Sequence, residues 1–286
     1  MRKRRVAWWD SKKGHMRCFE TKVDRGIKMC LYFDCELSRY LYCYDFETLE
    51  RRFLKMFLRP GDIYIDIGAN IGLFSLLAAW CVKDTGRVYA FEPAKKTYDR
   101  LCGNVALNRF TNVLCFQMAV SHQEGELPLF VSRDGYDAWN SFAHPIEGDD
   151  FSTQLVKCTK LDTFVSENKL LGKVTMVKID VEGWEMNVLR GGSLFLSRQD
   201  APVLQVEFTE KAAESAGVTC GEVYHKLEDL GYKMFSYDQS RNDIVPDPIR
   251  ETYPYLNLIA TKNPEFIKDR LHKRPSVTRL IERIRG

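Results

Sequence analysis

The hydrophobic positions of this chain change period as the sequence proceeds, and each change marks an element. Ile63-Tyr64-Ile65-Asp66-Ile67 is a short, nearly continuous apolar run of strand length, after which Leu73, Leu76, Leu77 and Trp80 recur at helical spacing. Residues 87–91 predict a second strand, and Tyr98, Leu101, Cys102 and Val105 then fall at i, i+3, i+4 and i+7 of a second helix. A third strand over residues 113–120 completes a β-α-β-α-β half. The alternation resumes with a strand over residues 174–179 and a helix near residues 184–189, stopped by Gly191-Gly192. A strand at 203–208 and a helix with Val223, Leu227 and Leu230 on one face follow. Two last strands, 232–237 and 256–261, close the body.

The flanks and the middle break this rhythm. Residues 17–23 and 27–33 are strand candidates, and residues 46–58 predict a helix with Leu49, Phe53, Met56 and Phe57 near one face, ended by Pro60-Gly61. Residues 127–131 and 154–159 are strand-like, and the stretch between them is rich in Gly, Asp, Asn and Ser, which suggests a hairpin-like excursion rather than a separate domain. The expected organisation is a lead-in over residues 1–60 packed on the core, a main domain over 61–262 and a basic tail over 263–286. Strands alternating with helices require crossover connections, so the fold class is α/β: a mostly parallel sheet with helices on both faces.

Composition changes this picture little. The 286 residues are 45% hydrophobic and 28% charged, which excludes fibrous, disordered and disulfide-scaffold classes. A net charge of +3 gives no field for gripping nucleic acid or an anionic membrane. Two ends are locally basic: Arg2-Lys3-Arg4-Arg5, and the stretch from Lys262, where Lys262, Lys268, Arg270, Lys273, Arg274, Arg279, Arg283 and Arg285 face only Glu265, Asp269 and Glu282. These read as solvated ends, so strong nucleic-acid or membrane binding is not expected. Nine cysteines without a Cys-x-x-Cys pair argue against zinc ribbons and secreted disulfide frameworks. The longest apolar run, residues 72–82, is too short to span a membrane, and the expected compartment is the cytoplasm.

In a sheet of this kind, ligands bind at the carboxyl ends of the strands, near the point where strand order reverses. The first strand ends in Asp66-Ile67-Gly68-Ala69-Asn70-Ile71-Gly72, a tight turn into a helix where Gly68 allows close backbone approach. Asn70 stands where a dinucleotide fold has its middle glycine, so a nucleoside ligand without a pyrophosphate fits better. Glu92, at the end of the second strand in Phe91-Glu92-Pro93, can accept from both hydroxyls of a ribose. The fourth strand ends in Lys178-Ile179-Asp180-Val181-Glu182-Gly183-Trp184-Glu185, and the fifth supplies Glu207. Asp180, Glu182 and Glu207 are three acids around one crevice, able to raise one another's pKa and form a base, or to hold a metal ion.

These segments, at these distances, resemble the FkbM family of S-adenosylmethionine-dependent methyltransferases. The likeness extends from about Gly26 through Leu161-Asp162 to Asn257-Leu258-Ile259-Ala260, and leaves residues 1–25 and 263–286 outside. The resemblance implies a Rossmann-like class I methyltransferase fold, seven strands with the last antiparallel, and S-adenosylmethionine as cofactor. It implies cofactor contacts at Asp66, Gly68, Asn70 and Glu92, with Gln117, Met118 and Ala119 near the adenine. It also implies methyl transfer to a hydroxyl oxygen, with Asn140 and Ser141 as a polar pair on the acceptor side; Glu182, Trp184 and Glu207 are further acceptor-side candidates.

A protonated hydroxyl is a poor nucleophile, so a base must take its proton or a metal must lower its pKa. Asp180 is the first choice for that base and His144 the alternative, while Lys178 reads as structural or substrate-orienting. A divalent metal on Asp180 and Glu207 is compatible with the acids but is not required by the pattern. The competing readings are a nucleic-acid methyltransferase using the basic ends and a non-catalytic module. The first lacks the Asn/Asp-Pro-Pro-Tyr/Phe segment at the fourth strand end, and the second would be expected to lose Asp66 and Glu92, both present.

Overall fold

A computed structural model describes residues 2–24, 26–44, 46–132, 142 and 151–273. The chain opens with helix α1 (Arg2–Lys12), the antiparallel pair β1 (Cys18–Asp24) and β2 (Ile27–Tyr32), and helices α2 (Glu36–Cys43) and α3 (Thr48–Phe57). The first alternating half is β3 (Ile63–Ile67), α4 (Leu73–Val82), β4 (Arg87–Phe91), α5 (Lys95–Leu107) and β5 (Val113–Phe116). An excursion of β6 (Ala119–Val120), β7 (Gly125–Ser132) and β8 (Phe151–Thr159) forms its own small sheet. The second half begins with α6 (Leu161–Glu167), β9 (Val174–Ile179), α7 (Glu185–Gly191), α8 (Ser193–Leu196) and β10 (Val203–Phe208). It ends with α9 (Glu210–Ser215), α10 (Cys220–Asp229), β11 (Lys233–Asp238), β12 (Asp243–Pro246), β13 (Leu256–Thr261) and α11 (Pro264–His272).

The main sheet has the order β12-β11-β13-β10-β9-β3-β4-β5. Strands β3, β4, β5, β9 and β10 pair in parallel, while β13 runs antiparallel to both β10 and β11. The seven strands implied by the resemblance are therefore present, with the last one reversed, and β12 adds an eighth at the edge by hairpin pairing with β11. Every residue of β10, and all but one of β3 and of β9, is buried, as expected of central strands covered on both faces. Strand order turns around between β3 and β9, which fixes the crevice at the ends of those two strands.

Helix α4 is apolar around its whole circumference, with only Trp80 exposed, because it lies between the sheet and the lead-in. Ile27, Met29 and Leu31 of β2 and Phe53, Leu54 and Phe57 of α3 share one core with Leu73, Leu76 and Leu77 of α4. The lead-in thus forms the outer wall of the cofactor half.

Three expectations are corrected. The strand foreseen over 113–120 is two: β5 ends at Phe116, and Ala119-Val120 leave the main sheet to pair with β8. The basic start, read above only as a solvated end, is the exposed first turn of α1, a helix anchored by Trp9, which is 1% exposed and packs 4.6 Å from the Phe33 ring. The stretch after residue 262 is not all tail: α11 buries Ile267 and Leu271, and Arg270 grips the Asp62 carboxylate with two hydrogen bonds of 2.5 and 3.1 Å. Among the described residues, no helix is long and apolar enough to cross a membrane.

Candidate active site

The ends of β3, β4 and β9 are laced together by backbone hydrogen bonds. Gly68 and Ala69 N–H donate to the carbonyl of Phe91 at 3.1 and 2.8 Å, and Asp180 N–H donates to that of Ile67 at 3.0 Å. Gly68 has φ +86°, and a Cβ there would lie 1.7 Å from the carbonyl oxygen of Asp180. Glycine is required at 68 because two strand ends cross at van der Waals distance, in addition to any approach by a ligand. Asn70 follows at φ 48°, a left-handed position that asparagine tolerates better than most residues.

Glu92 is fixed by this lacing: its carboxylate accepts from Asn70 N–H at 3.1 Å and from Ala94 N–H at 2.9 Å. Asp66 is 1% exposed and accepts from Ser75 Oγ at 2.5 Å; burial pushes its pKa up to about 6, against the pull of Lys178 and Ser75. Lys178, 2% exposed, lies across from Asp66 in the β3–β9 register, donates to Asp180 and sits 4.5 Å from the Phe74 ring centre. The surrounding acids hold its ammonium firmly protonated despite burial.

Asp66, Gly68, Asn70, Glu92, Lys178, Asp180, Glu182 and Glu207 line one cavity of about 540 Å3, together with Glu36, Tyr40, Phe46, Glu47, Phe74, Phe142 and Tyr255. Its described walls carry seven carboxylates against one ammonium, an environment matched to a positively charged ligand. Oxygens of Asp180, Glu182 and Glu207 lie within 4.8 Å of one another. Burial is the largest influence on all three and opposes ionisation, but at Asp180 the charge of Lys178 and hydrogen bonds from Glu207 and Lys178 together outweigh it and hold the carboxyl below its ordinary value. Glu182 and Glu207 are pushed well above that range, by burial first and then by the charge of Asp180. Glu207 Oε1 accepts from Thr209 Oγ1 at 2.9 Å, and its buried Oε2 meets no donor. A proton on Glu207 answers this, since it can be donated to the neighbouring Asp180. Among the described residues that line the cavity, Lys178 supplies the positive charge, and it is paired with Asp180.

Other candidates fall elsewhere. Trp184 lies outside the cavity lining: its Nε1 donates to Ser121 Oγ at 3.1 Å and its ring is 5.3 Å from that of Phe142, so it joins the β9–α7 turn to the small sheet. Glu185 staples that turn, accepting from Val181 and Gly183 N–H at 3.0 and 3.4 Å. Gln117, Met118 and Ala119 do not line the cavity either; Met118 packs on the core under β9 and β10, and Ala119 is buried with Leu129, Val156 and Cys158. Asn140, Ser141 and His144 lie outside the described residues.

Sequence reading missed Glu47 and Tyr255. Glu47 Oε1 accepts from Tyr255 Oη at 2.6 Å and from Asn257 Nδ2 at 3.4 Å, joining the lead-in to β13. The only local signal was position, since Glu47 falls in the approach to the first helix and Tyr255 two residues before the Asn257-Leu258-Ile259-Ala260 segment.

Comparison with known proteins identifies the family of the chain. A methyltransferase named sdnD from Sordaria araneosa is 30% identical over 181 residues, which cover 52% of this chain and 64% of that protein. The hexuronic acid methyltransferase AglP of Haloferax volcanii is 30% identical over 134 residues, 46% of this chain and 49% of that protein. The 31-O-demethyl-FK506 methyltransferase FkbM of Streptomyces tacrolimicus is 42% identical over 69 residues, 24% of this chain and 25% of that protein. The aligned parts thus span less than two thirds of these relatives. The family described as the methyltransferase FkbM domain matches residues 66–234, from the acid one residue before the end of β3 to the second residue of β11. The chain belongs to the FkbM family of S-adenosylmethionine-dependent methyltransferases.

Proposed function

We propose that this protein transfers the methyl group of S-adenosylmethionine to a hydroxyl oxygen of a small molecule, glycan or peptide. The observation that carries the reading is the acid-lined cavity at the β3–β9 crevice, whose carboxylates surround the position of a cationic donor and supply proton acceptors. The residues fit the cofactor: the cavity has the size of a small-molecule site, and its polar walls are mainly carboxyl groups, whose ionised forms a sulfonium and an ammonium would favour. Bound there, S-adenosylmethionine supplies an electrophilic methyl carbon. Glu92 is assigned the ribose hydroxyls, held in orientation by the Asn70 and Ala94 N–H groups, and Asp66, Gly68 and Asn70 the remaining turn contacts. The chain's own work is then alignment, exclusion of water and proton removal.

One relative supports the acceptor class by name, a 31-O-demethyl-FK506 methyltransferase; another is named for a hexuronic acid, a sugar that offers both hydroxyls and a carboxyl. The Lys178 pairing argues against Asp180 as the base, since a carboxylate held below its usual range has little appetite for a proton at neutral pH. Asp180 instead serves as a fixed negative charge facing the cofactor.

The test is calorimetry with S-adenosylmethionine and with NAD, followed by S-adenosylhomocysteine release across sugars, polyketides, peptides and RNA. Binding of the first cofactor only, with an alkali-stable methyl ether as product, is the expected result. Transfer to a base nitrogen of RNA, or a methyl label lost in mild alkali as an ester, would replace the hydroxyl reading.

A further inference from the structure

A second cavity of about 1040 Å3 lies beside the first and shares four wall residues with it: Tyr40, Phe46, Glu47 and Tyr255. Its far wall is aromatic and basic. The Tyr40 ring packs in tilted contact with those of Tyr44 and Phe46 at 5.6 and 5.8 Å, and the Arg2 guanidinium lies 4.2 Å from the centre of the Tyr44 ring. Such a wall suits the face of a ring-bearing acceptor. Glu47 stands at the junction, in a left-handed conformation (φ 45°, ψ 46°) that is costly for a residue with a Cβ. It precedes the first turn of α3, yet its side chain makes no capping bond to that helix and turns toward Tyr255 and Asn257. Both donors reach Oε1, and among the described residues none reaches Oε2.

We propose that Glu47 is the base that takes the acceptor's proton, and that the acceptor enters through this second cavity. The proposal rests on the methyltransferase reading above. In the step, the hydroxyl O–H bond breaks toward Glu47, and the oxygen lone pair forms the new O–CH3 bond. The electron pair of the C–S bond stays on sulfur as S-adenosylhomocysteine, and Glu47 later returns its proton to water.

Four other acids of the crevice are committed elsewhere, and Glu92 is held by the Asn70 and Ala94 N–H groups. Asp180 is paired with Lys178, Glu182 and Glu207 are driven toward the protonated form, and Asp66 is buried against Ser75. Glu47 is pushed up to about 7, by burial first, with Lys178 and the Tyr255 hydroxyl pulling down and Asp180 and Glu50 pushing up. The remaining charged or titratable groups that share a cavity with it are Glu36, Tyr40 and Cys43 on α2, Tyr44 just after that helix, Glu92 after β4, and Arg2 and Arg5 on α1. A base that titrates near neutrality combines a useful ionised fraction with real proton affinity.

The test needs no acceptor. Sinefungin carries an ammonium where S-adenosylmethionine carries its methyl, so an ionised carboxylate facing the transfer point favours it over S-adenosylhomocysteine. Calorimetry on the full chain from pH 5.5 to 8.5 should show that preference rising about tenfold or more, with a midpoint near 7. Glu47→Gln should flatten the rise to less than about twofold while leaving S-adenosylhomocysteine affinity nearly unchanged. Tyr255→Phe removes the hydrogen bond that favours the ionised form and should move the midpoint upward. A rise that persists in Glu47→Gln, or is absent from the unmodified protein, overturns the proposal. If Glu47→Gln fails to fold, an unmoved midpoint in Tyr255→Phe overturns it instead. Failure of the unmodified chain to bind S-adenosylhomocysteine at any pH would defeat the methyltransferase reading itself.

Discussion

At the scale of single residues, the site is governed by one buried cation. Lys178 is nearly inaccessible and its ammonium is matched by Asp180, two residues later and just past the end of β9. Removing one partner of such a pair strands the other. Asp180→Asn is therefore expected to cost about 3–5 kcal/mol in urea unfolding, and the double variant Lys178→Met/Asp180→Asn to recover a large part of that loss. Equal stability of the single and double variants would show that Asp180 does not neutralise Lys178. Glu92 makes a different prediction, because its partners are backbone N–H groups at the edge of the cavity. A charged hydrogen bond is worth roughly 1.5–3 kcal/mol, so Glu92→Ala should weaken S-adenosylmethionine binding about ten- to a hundredfold in calorimetry. Unchanged affinity would remove Glu92 from the cofactor site.

At the scale of elements, the strands were the legible part. The central runs at 63–67, 87–91, 174–179 and 203–208 carry their whole signal locally, since burial on both faces leaves a continuous apolar stretch. Helix α11 shows the opposite case. Its charges read as a solvated tail because nothing near them in sequence says that Arg270 meets Asp62, 208 positions earlier. Glu47 was missed for the same reason: its role depends on Tyr255 and Asn257, more than two hundred residues away. Asp66, Gly68, Asn70 and Glu92 could be placed on one cavity wall from sequence because strand-end position and turn chemistry are local properties. Trp184 was misjudged because a large side chain beside catalytic-looking acids says nothing of which way it points. The Arg270–Asp62 pair ties α11 to the start of β3, and Arg270 also donates to the carbonyl of Phe57 at 3.2 Å. Arg270→Ala should lower stability by about 2–4 kcal/mol, less than the full cost of an isolated buried charge because Thr175 and the Arg59 N–H still reach Asp62. A chemical denaturation midpoint identical to that of the unmodified chain would mean that α11 docks through Ile267 and Leu271 alone.

At the scale of the whole molecule, the concentration of acids around one crevice couples folding to pH and to the cofactor. Burial raises the pKa of Glu47 and Glu185 to about 7 and of Asp66 to about 6, and lifts Glu182 and Glu207 further. A carboxyl with a raised folded-state pKa stabilises fully below its unfolded value, near 4, and that contribution is lost as pH rises through the folded value. Asp180 and Asp34, both lowered, act the other way, and their contribution disappears only as the solution becomes strongly acidic. The ligand-free protein should therefore melt at a lower temperature at pH 8 than at pH 5.5. A cationic ligand reverses the balance, because it favours the ionised acids that the empty crevice resists. Binding of S-adenosylmethionine should tighten from pH 5.5 to 8 and release protons, so calorimetry in two buffers of different ionisation enthalpy should give a positive proton count. Saturating cofactor should then shrink the difference between the two melting temperatures. Proton uptake on binding, or a melting temperature that climbs steadily to pH 8 without ligand, would mean that the crevice acids are already ionised in the free protein and that the charge match with the cofactor is not what shapes the site.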